Sequence, residues 1–430
     1  MSREAGMPLW IGAVVVCALA AMAGGEVAYT VTDLGTFAET GSFGMAINND
    51  GQVVGSAAYG AWEFLWDPEK GVTDLTAAIG EPRKIWVQDI NDKGEFTYVV
   101  LVGDGRDSYV WDGTGQPTYI GPVAAVSVNN AGMVLAASYP NGWDPSATVV
   151  WDACGGIRNV GFLPGGRRAE GRGLNNLGQV VGESTTDIPA AGHPLRVDYR
   201  DKDVQHHAFL WSEAEGMRDL GTLGGDIAWA RAVNDPGTVV GASYTGVGDD
   251  VHAFIWDEAG GMRDLGLLPG SAWSEAVAIN NRGEVIGASV FDTAPPGLSS
   301  CGAFLWDSTN GMRPLTDLVP NGGWYDMYPI DINDRGQILA EVYFEGPDVC
   351  SIPRAVVLTP VPEPGLPALA LCAFCALILR KNRALREWHC RLWWAGRGHN
   401  TPGGRAGFRR SFGLARNLGL WIMRLAILGR

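Results

Sequence analysis

Short apolar runs alternate with polar, Gly-containing breaks along most of the chain, and one such break keeps returning. It has the form apolar–Asn–(Asn/Asp)–x–Gly and is followed by a second apolar run. The copies are Ile47-Asn48-Asn49-Asp50-Gly51, Ile90-Asn91-Asp92-Lys93-Gly94, Val128-Asn129-Asn130-Ala131-Gly132 and Leu174-Asn175-Asn176-Leu177-Gly178. Three more follow: Val233-Asn234-Asp235-Pro236-Gly237, Ile279-Asn280-Asn281-Arg282-Gly283 and Ile332-Asn333-Asp334-Arg335-Gly336. Asn48 and Asn333 are 285 residues apart over six steps, a mean period of 47.5. This is hairpin chemistry: Asn caps the turn through its own side chain, and Gly supplies the positive φ that closes a bulged loop. The Val-Val-Gly or Val-Ile-Gly that follows in several copies has the β-branched content of a strand.

A second recurring element is a strand ending in Trp, a short loop, and a strand ending Asp-Leu-Gly. The clearest copies run from His207-Ala208-Phe209-Leu210-Trp211 to Met217-Arg218-Asp219-Leu220-Gly221, and from His252-Ala253-Phe254-Ile255-Trp256 to Met262-Arg263-Asp264-Leu265-Gly266. Trp66, Trp111, Trp151 and Trp306 mark other copies. Each period therefore predicts four short strands, the pattern of a β-propeller blade. The expected fold is an all-β, seven-bladed propeller. Val31-Thr32-Asp33-Leu34-Gly35 lacks a Trp strand before it, and Arg354-Ala355-Val356-Val357-Leu358 is a Trp-type strand with nothing after it. With blade boundaries at the variable loop before the Trp strand, the two chain ends would complete one shared blade and remove the free edge. An open β-solenoid is the alternative architecture.

Composition agrees. Gly contributes 60 of 430 residues, about double the usual share, which disfavours a mainly helical protein. An apolar fraction of 46% is too high for a disordered chain. The net charge of −15 conceals an acidic body and a basic tail: residues 24–360 carry 19 Lys/Arg and 44 Asp/Glu, and residues 361–430 carry 12 and 2. An acidic body repels phosphates, so nucleic acid is not an expected partner.

The ends read as targeting segments. Arg3, the apolar run Leu9–Ala21 and Ala21-Met22-Ala23 predict a signal peptide over 1–23. Residues 360–383 combine Pro362-Glu363-Pro364, an apolar stretch from Leu366 to Leu379, and Arg380-Lys381-Asn382-Arg383: a stiff linker, a short membrane-compatible segment and a positive stop. This order resembles the PEP-CTERM sorting signal of Gram-negative bacteria. The resemblance implies recognition by an exosortase, transient membrane anchoring of the precursor, and delivery to the cell surface or extracellular matrix. Such signals normally finish the protein, whereas 47 residues follow here. That basic tail, 384–430, is either an amphipathic membrane-surface segment or an extension outside the fold. Across 29–359 the repeats resemble the HAF-repeat family of extracellular bacterial proteins. That resemblance implies export and a repeat fold rather than a defined activity.

Candidate chemistry is sparse. The repeat Trp residues are expected to pack between blades, so aromatics in the variable loops are the better ligand-binding candidates: Trp143, Trp229, Trp273, Trp324 and Tyr325. His207 and His252 sit one unit apart, too far for one metal ion, and no calcium-loop pattern is present, so no metal or other cofactor is expected. Asp33, Asp74, Asp219 and Asp264 recur as strand-end hydrogen-bond acceptors. No nucleophile elbow, phosphate-binding loop or other catalytic constellation is found. Cys301 and Cys350 occupy similar places in adjacent units, and export would permit a disulfide between them. The expectation is a non-enzymatic, exported binding or structural module directed at exopolysaccharide or surface proteins. A secreted propeller-type glycan lyase or hydrolase, with its site on a central channel, is the alternative. A third possibility is a purely architectural matrix protein.

Overall fold

The computed structural model describes residues 29–36, 41–57, 60–81, 83–103, 105–138, 147–190, 203–248, 250–291, 301–319, 324–344 and 352–361. The signal-peptide, sorting-motif and tail expectations, with Trp143 and Cys350, therefore lie outside the described residues. Among the described residues no helix is long and apolar enough to cross a membrane.

The described chain is all-β and propeller-type: 28 strands, numbered β1–β28 in chain order, in antiparallel sheets of four, with one short α-helix, α1 (Leu75–Ile79). The first complete sheet runs β2 (Ser42–Ile47), β3 (Val53–Ala57), β4 (Trp62–Asp67) and β5 (Gly71–Asp74). Each sheet thus begins on the Asn-ending strand and finishes on the Asp-Leu-Gly strand or its counterpart. This corrects the expected boundary, since the variable loop before the Trp strand lies inside a sheet. Two neighbouring sheets, β18 (Ala228–Val233) to β21 (Gly261–Gly266) and β22 (Trp273–Ile279) to β25 (Gly311–Pro314), are joined by one parallel bridge, Val251 to Trp273. β1 (Tyr29–Asp33) pairs in register with β28 (Pro353–Pro360), the chain's last described strand, from Tyr29–Pro360 to Asp33–Val356.

There is no single core. Seven apolar clusters lie between the faces of neighbouring sheets. The repeat Trp side chains belong to them: Trp111, Trp151, Trp211 and Trp256 are 5–9% exposed, and Trp66 and Trp306 pack against the same clusters. Removing this much apolar surface from water is the main stabilising term.

The recurring Asn explains how the sheets are held in order. Its Oδ1 accepts the N–H four residues on in every copy, and also the one two residues on except at Asn234, where Pro236 has none; Asn48 accepts from Asp50 (3.1 Å) and Gln52 (2.9 Å). The Gly three residues later has φ between +74° and +85° in all seven copies, a conformation that costs Gly little. The same Asn also reaches outward. Asn48 Nδ2 donates to the carbonyl of Asn91, and Asn91, Asn129, Asn175, Asn234 and Asn280 each repeat this to the next unit, at 2.9–3.0 Å. The last of these bonds runs from Asn333 to the carbonyl of Asn48. Each Asn is 3–5% exposed, so these are buried polar groups that each carry a bond to the neighbouring unit.

Candidate functional site

One residue further on, a second circuit follows the first. The N–H of Asn49 donates to Asp92 Oδ1, Asp92 to Asn130, Asn130 to Asn176, Asn176 to Asp235, Asp235 to Asn281, Asn281 to Asp334 and Asp334 to Asn49, all at 2.7–2.9 Å. The three Asp residues are never neighbours. Asn side-chain amides bridge between them: Asn49 Nδ2 donates to Asp92 and Asp334, Asn281 Nδ2 to Asp235 and Asp334. Alternation keeps like charges apart, and seven positions force it to break once, at the neutral pair Asn130–Asn176.

These residues help to line a cavity of about 330 Å³ to which the first strand of every sheet contributes. The strands concerned are β2, β6 (Ile85–Ile90), β10 (Val123–Val128), β14 (Ala169–Leu174), β18, β22 and β26 (Trp324–Ile332). In all seven, the register shifts between the residues four and two before the circuit Asn. Such a bulge re-aims side chains, here bringing the residues three and two before the Asn to the cavity together. Arg172 and Arg231 enter on two neighbouring sheets, and Asp89 and Asp331 on the sheets that flank β2–β5.

The two cavity carboxyls are the functional candidates that sequence reasoning missed. Asp89 Oδ2 accepts from Ser127 Oγ (2.6 Å) and the Val128 N–H (2.8 Å), and Asp331 Oδ2 accepts from the Ile47 N–H (3.0 Å). Each therefore ties its own sheet to the next. Burial nonetheless dominates: it pushes Asp89 up to about 7, with the charge of Asp331 adding to the rise, and Asp331 up to about 6. Groups that exchange a proton near neutrality inside a cavity are equipped for acid/base work. The signal in the sequence is slight, an Asp where the other units have Ala, Gly or Ser two residues before the Asn.

On the opposite wall, Arg172 pairs with Glu170 (3.3 Å) and Glu183 (3.2 Å), and Arg231 pairs with Glu275. Trp229, one of the expected ligand-binding aromatics, joins this network: its Nε1 donates to Glu275 Oε1 at 2.6 Å, and its ring meets Tyr244 edge to face. Trp273 opens β22 and pairs with Val290, and half-buried Trp324 opens β26 and packs against an apolar cluster. Tyr325 and Cys301 lie in β26 and β24 (Cys301–Asp307), with side chains outside the described residues.

The remaining polar repeats have local partners. His207 Nδ1 lies 2.9 Å from Asp219 and its Nε2 3.0 Å from Gln205, while His252 Nδ1 lies 2.7 Å from Asp264. Asp219 and Asp264 also accept the N–H of Gly221 and Gly266, and Asp33 that of Gly35. Asp74 instead caps α1, accepting from Ala77. Among the described residues no group of His, Cys, Asp and Glu is arranged to hold a metal ion.

Comparison with known protein families finds no match, and comparison with curated proteins finds none either. Solved structures do resemble the fold. Virginiamycin B lyase from Staphylococcus aureus aligns over 77% of this chain and 100% of its own, at 10% identity and a TM-score of 0.46. Dipeptidyl peptidase 4 of Porphyromonas gingivalis aligns over 80% of this chain and 53% of its own, at 10% identity and a TM-score of 0.42. YCF48 of Cyanidioschyzon merolae aligns over 77% and 98%, at 8% identity and a TM-score of 0.35. At these values no substrate or activity carries over.

Proposed function

We propose that this chain is an exported, seven-bladed β-propeller of the HAF-repeat kind that acts on extracellular polysaccharide through its central cavity. The pairing of β1 with β28 and the two hydrogen-bond circuits, each returning to its starting unit, support a closed ring of seven blades. Export, exosortase sorting at Pro362-Glu363-Pro364 and a surface or matrix location rest on the sequence of the two ends. The observation that carries the functional reading is the cavity itself, into which every unit sends side chains that differ from sheet to sheet although the surrounding fold repeats. Mixed polar and apolar linings on one axis are a usual form of small-ligand or sugar-unit site.

Two modes of action fit. Retention of a glycan without chemistry needs only the hydrogen-bonding wall. Glycan cleavage would use Asp89 and Asp331, the two cavity carboxyls that burial raises toward neutrality. Affinity retention on immobilised polysaccharides, run beside a reducing-end release assay, separates them. Release of reducing ends that is lost in Asp89→Asn with the fold intact selects cleavage; retention with no release selects binding. No retention and no release across polysaccharide classes rejects both.

A further inference from the structure

Beyond the residues that line the cavity, the same side of the innermost strands carries a second level, and its chemistry narrows the ligand. In β6, β10 and β18 the residues six, four and one before the circuit Asn are buried, while those five and three before it are half-buried. The fifth and third positions thus share the inward side of the innermost strands. Read around the sheets in order, the fifth position divides into two sectors. Tyr328, Phe43 and Trp86 stand on three consecutive sheets, the last, first and second; Glu170, Trp229 and Glu275 stand on another three, the fourth to sixth. At the third position Ile330 and Met45 lie below Tyr328 and Phe43, with Gln88 below Trp86, while Arg172 and Arg231 lie below Glu170 and Trp229, with Val277 below Glu275.

We infer that this mouth takes one pyranose ring of a neutral glycan, with a C–H face against the aromatic sector and hydroxyls against the paired charges; the inference rests on the glycan reading above. Two-sidedness argues for the ring. A sugar presents an apolar face and an equatorial belt of hydroxyls, and the mouth offers aromatic surface on one side with donors and acceptors on the other. Neutrality follows from charge. Both guanidiniums already hold carboxylates, Arg172 with Glu170 and Glu183, Arg231 with Glu275. The cavity beyond adds the carboxylates of Asp92, Asp235 and Asp334. A uronate or sulfated glycan would meet paired guanidiniums and net negative potential, whereas hydroxyls bridge an existing Arg–Glu pair without displacing either partner. Trp86 already holds a cation, Lys84 Nζ at 5.1 Å from its ring centroid. A sugar face would replace this ammonium at modest cost.

The test is affinity electrophoresis of the full chain in gels containing a neutral β-glucan, a polyuronate or a sulfated galactan, at two salt concentrations. The expected result is retardation by the neutral glucan alone, insensitive to salt. It weakens at least about tenfold in Trp86→Ala and Tyr328→Ala and much less in Trp86→Phe, which keeps a stacking face. Melting temperatures of the variants separate lost binding from lost fold. Preference for the polyuronate or the sulfated galactan overturns the inference. So does glucan retardation indifferent to Trp86 and Tyr328, an outcome that leaves glycan binding elsewhere on the molecule standing. Absence of retardation by any glycan rejects the glycan reading and this inference with it.

Discussion

Glu63 allows a sharp test of how the sheets are clamped. In the two units after its own, the residue three before the repeat Trp is a hydroxyl that bridges to the next sheet. Ser108 Oγ donates to the carbonyl of Val123 and accepts from the Ala125 N–H; Thr148 Oγ1 does the same with Ala169 and Gly171. Glu63 stands at that position in β4. Its Oε2 accepts the Val87 N–H at 3.1 Å, while Oε1 is buried with no hydrogen-bond partner, in a residue 2% exposed. A protonated carboxyl would supply the O–H donor that Ser108 and Thr148 provide at this position. Burial accordingly pushes Glu63 from 4.5 up to about 8, against the Val87 hydrogen bond and the charge of Lys84. A folded value above the unfolded one means that the contribution to stability is complete below pH 4.5 and is lost as pH rises toward 8. At 1.36 kcal/mol per unit, the full loss approaches about 5 kcal/mol. Glu63→Gln keeps the shape, supplies a permanent donor and cannot ionise. Urea unfolding of both proteins from pH 4.5 to 9 gives a difference curve in which Asp89, Asp331 and Glu341, which shift in the same direction, cancel. The variant should match or fall slightly below wild type at the acid end and exceed it by several kcal/mol above pH 8. A flat difference curve would refute the protonated clamp.

Three further outcomes follow from the same geometry. Asn49→Asp would set a third carboxylate between Asp92 and Asp334 and delete the amide that now bonds to both; a loss of about 2–4 kcal/mol is expected, partly recovered in acid and in salt, by melting at varied pH and ionic strength. Asp334→Asn, by contrast, removes a charge without creating a like-charged neighbour and should cost less than half as much in the same assay. Gly241→Ala should lose about 2 kcal/mol or more in equilibrium unfolding, because a Cβ there would collide with the Trp229 carbonyl.

How much of this was legible in the sequence depends on whether a residue acts within its own hairpin or between units. Asn48 and Gly51 could be read directly, because the turn cap and the positive φ are local requirements that fix residue type. The period and the four-strand content followed. The donation from Asn48 to Asn91 could not be read, since it spans 43 residues and needs the placement of the next sheet. Val-Val-Gly was legible as a strand, but the reason for its Gly was not. Gly55, Gly182, Gly241 and Gly287 each lie against the carbonyl of the residue five before the circuit Asn, an approach set by the bulge. The sheet boundary was misplaced for a similar reason: loop length marks variability, whereas the boundary is set by which strands exchange hydrogen bonds.

The same distinction bears on where a ligand would be recognised. Positions at which all seven units agree, the recurring Asn and its Gly, are occupied by what the turn and the bond to the next unit require. A ligand of low symmetry cannot be recognised by a sevenfold array of one residue. Recognition has to come from positions that the backbone holds equivalent while the side chains differ. The third and fifth residues before the Asn meet that condition, running Met45, Gln88, Val126, Arg172, Arg231, Val277, Ile330 at one level and from Phe43 to Tyr328 at the other. The variable-loop aromatics were sought on the premise that variation lies in loops. Here it also lies on the most regular strands in the molecule, and Trp229, which occupies one of these inward positions, is joined to the charged wall.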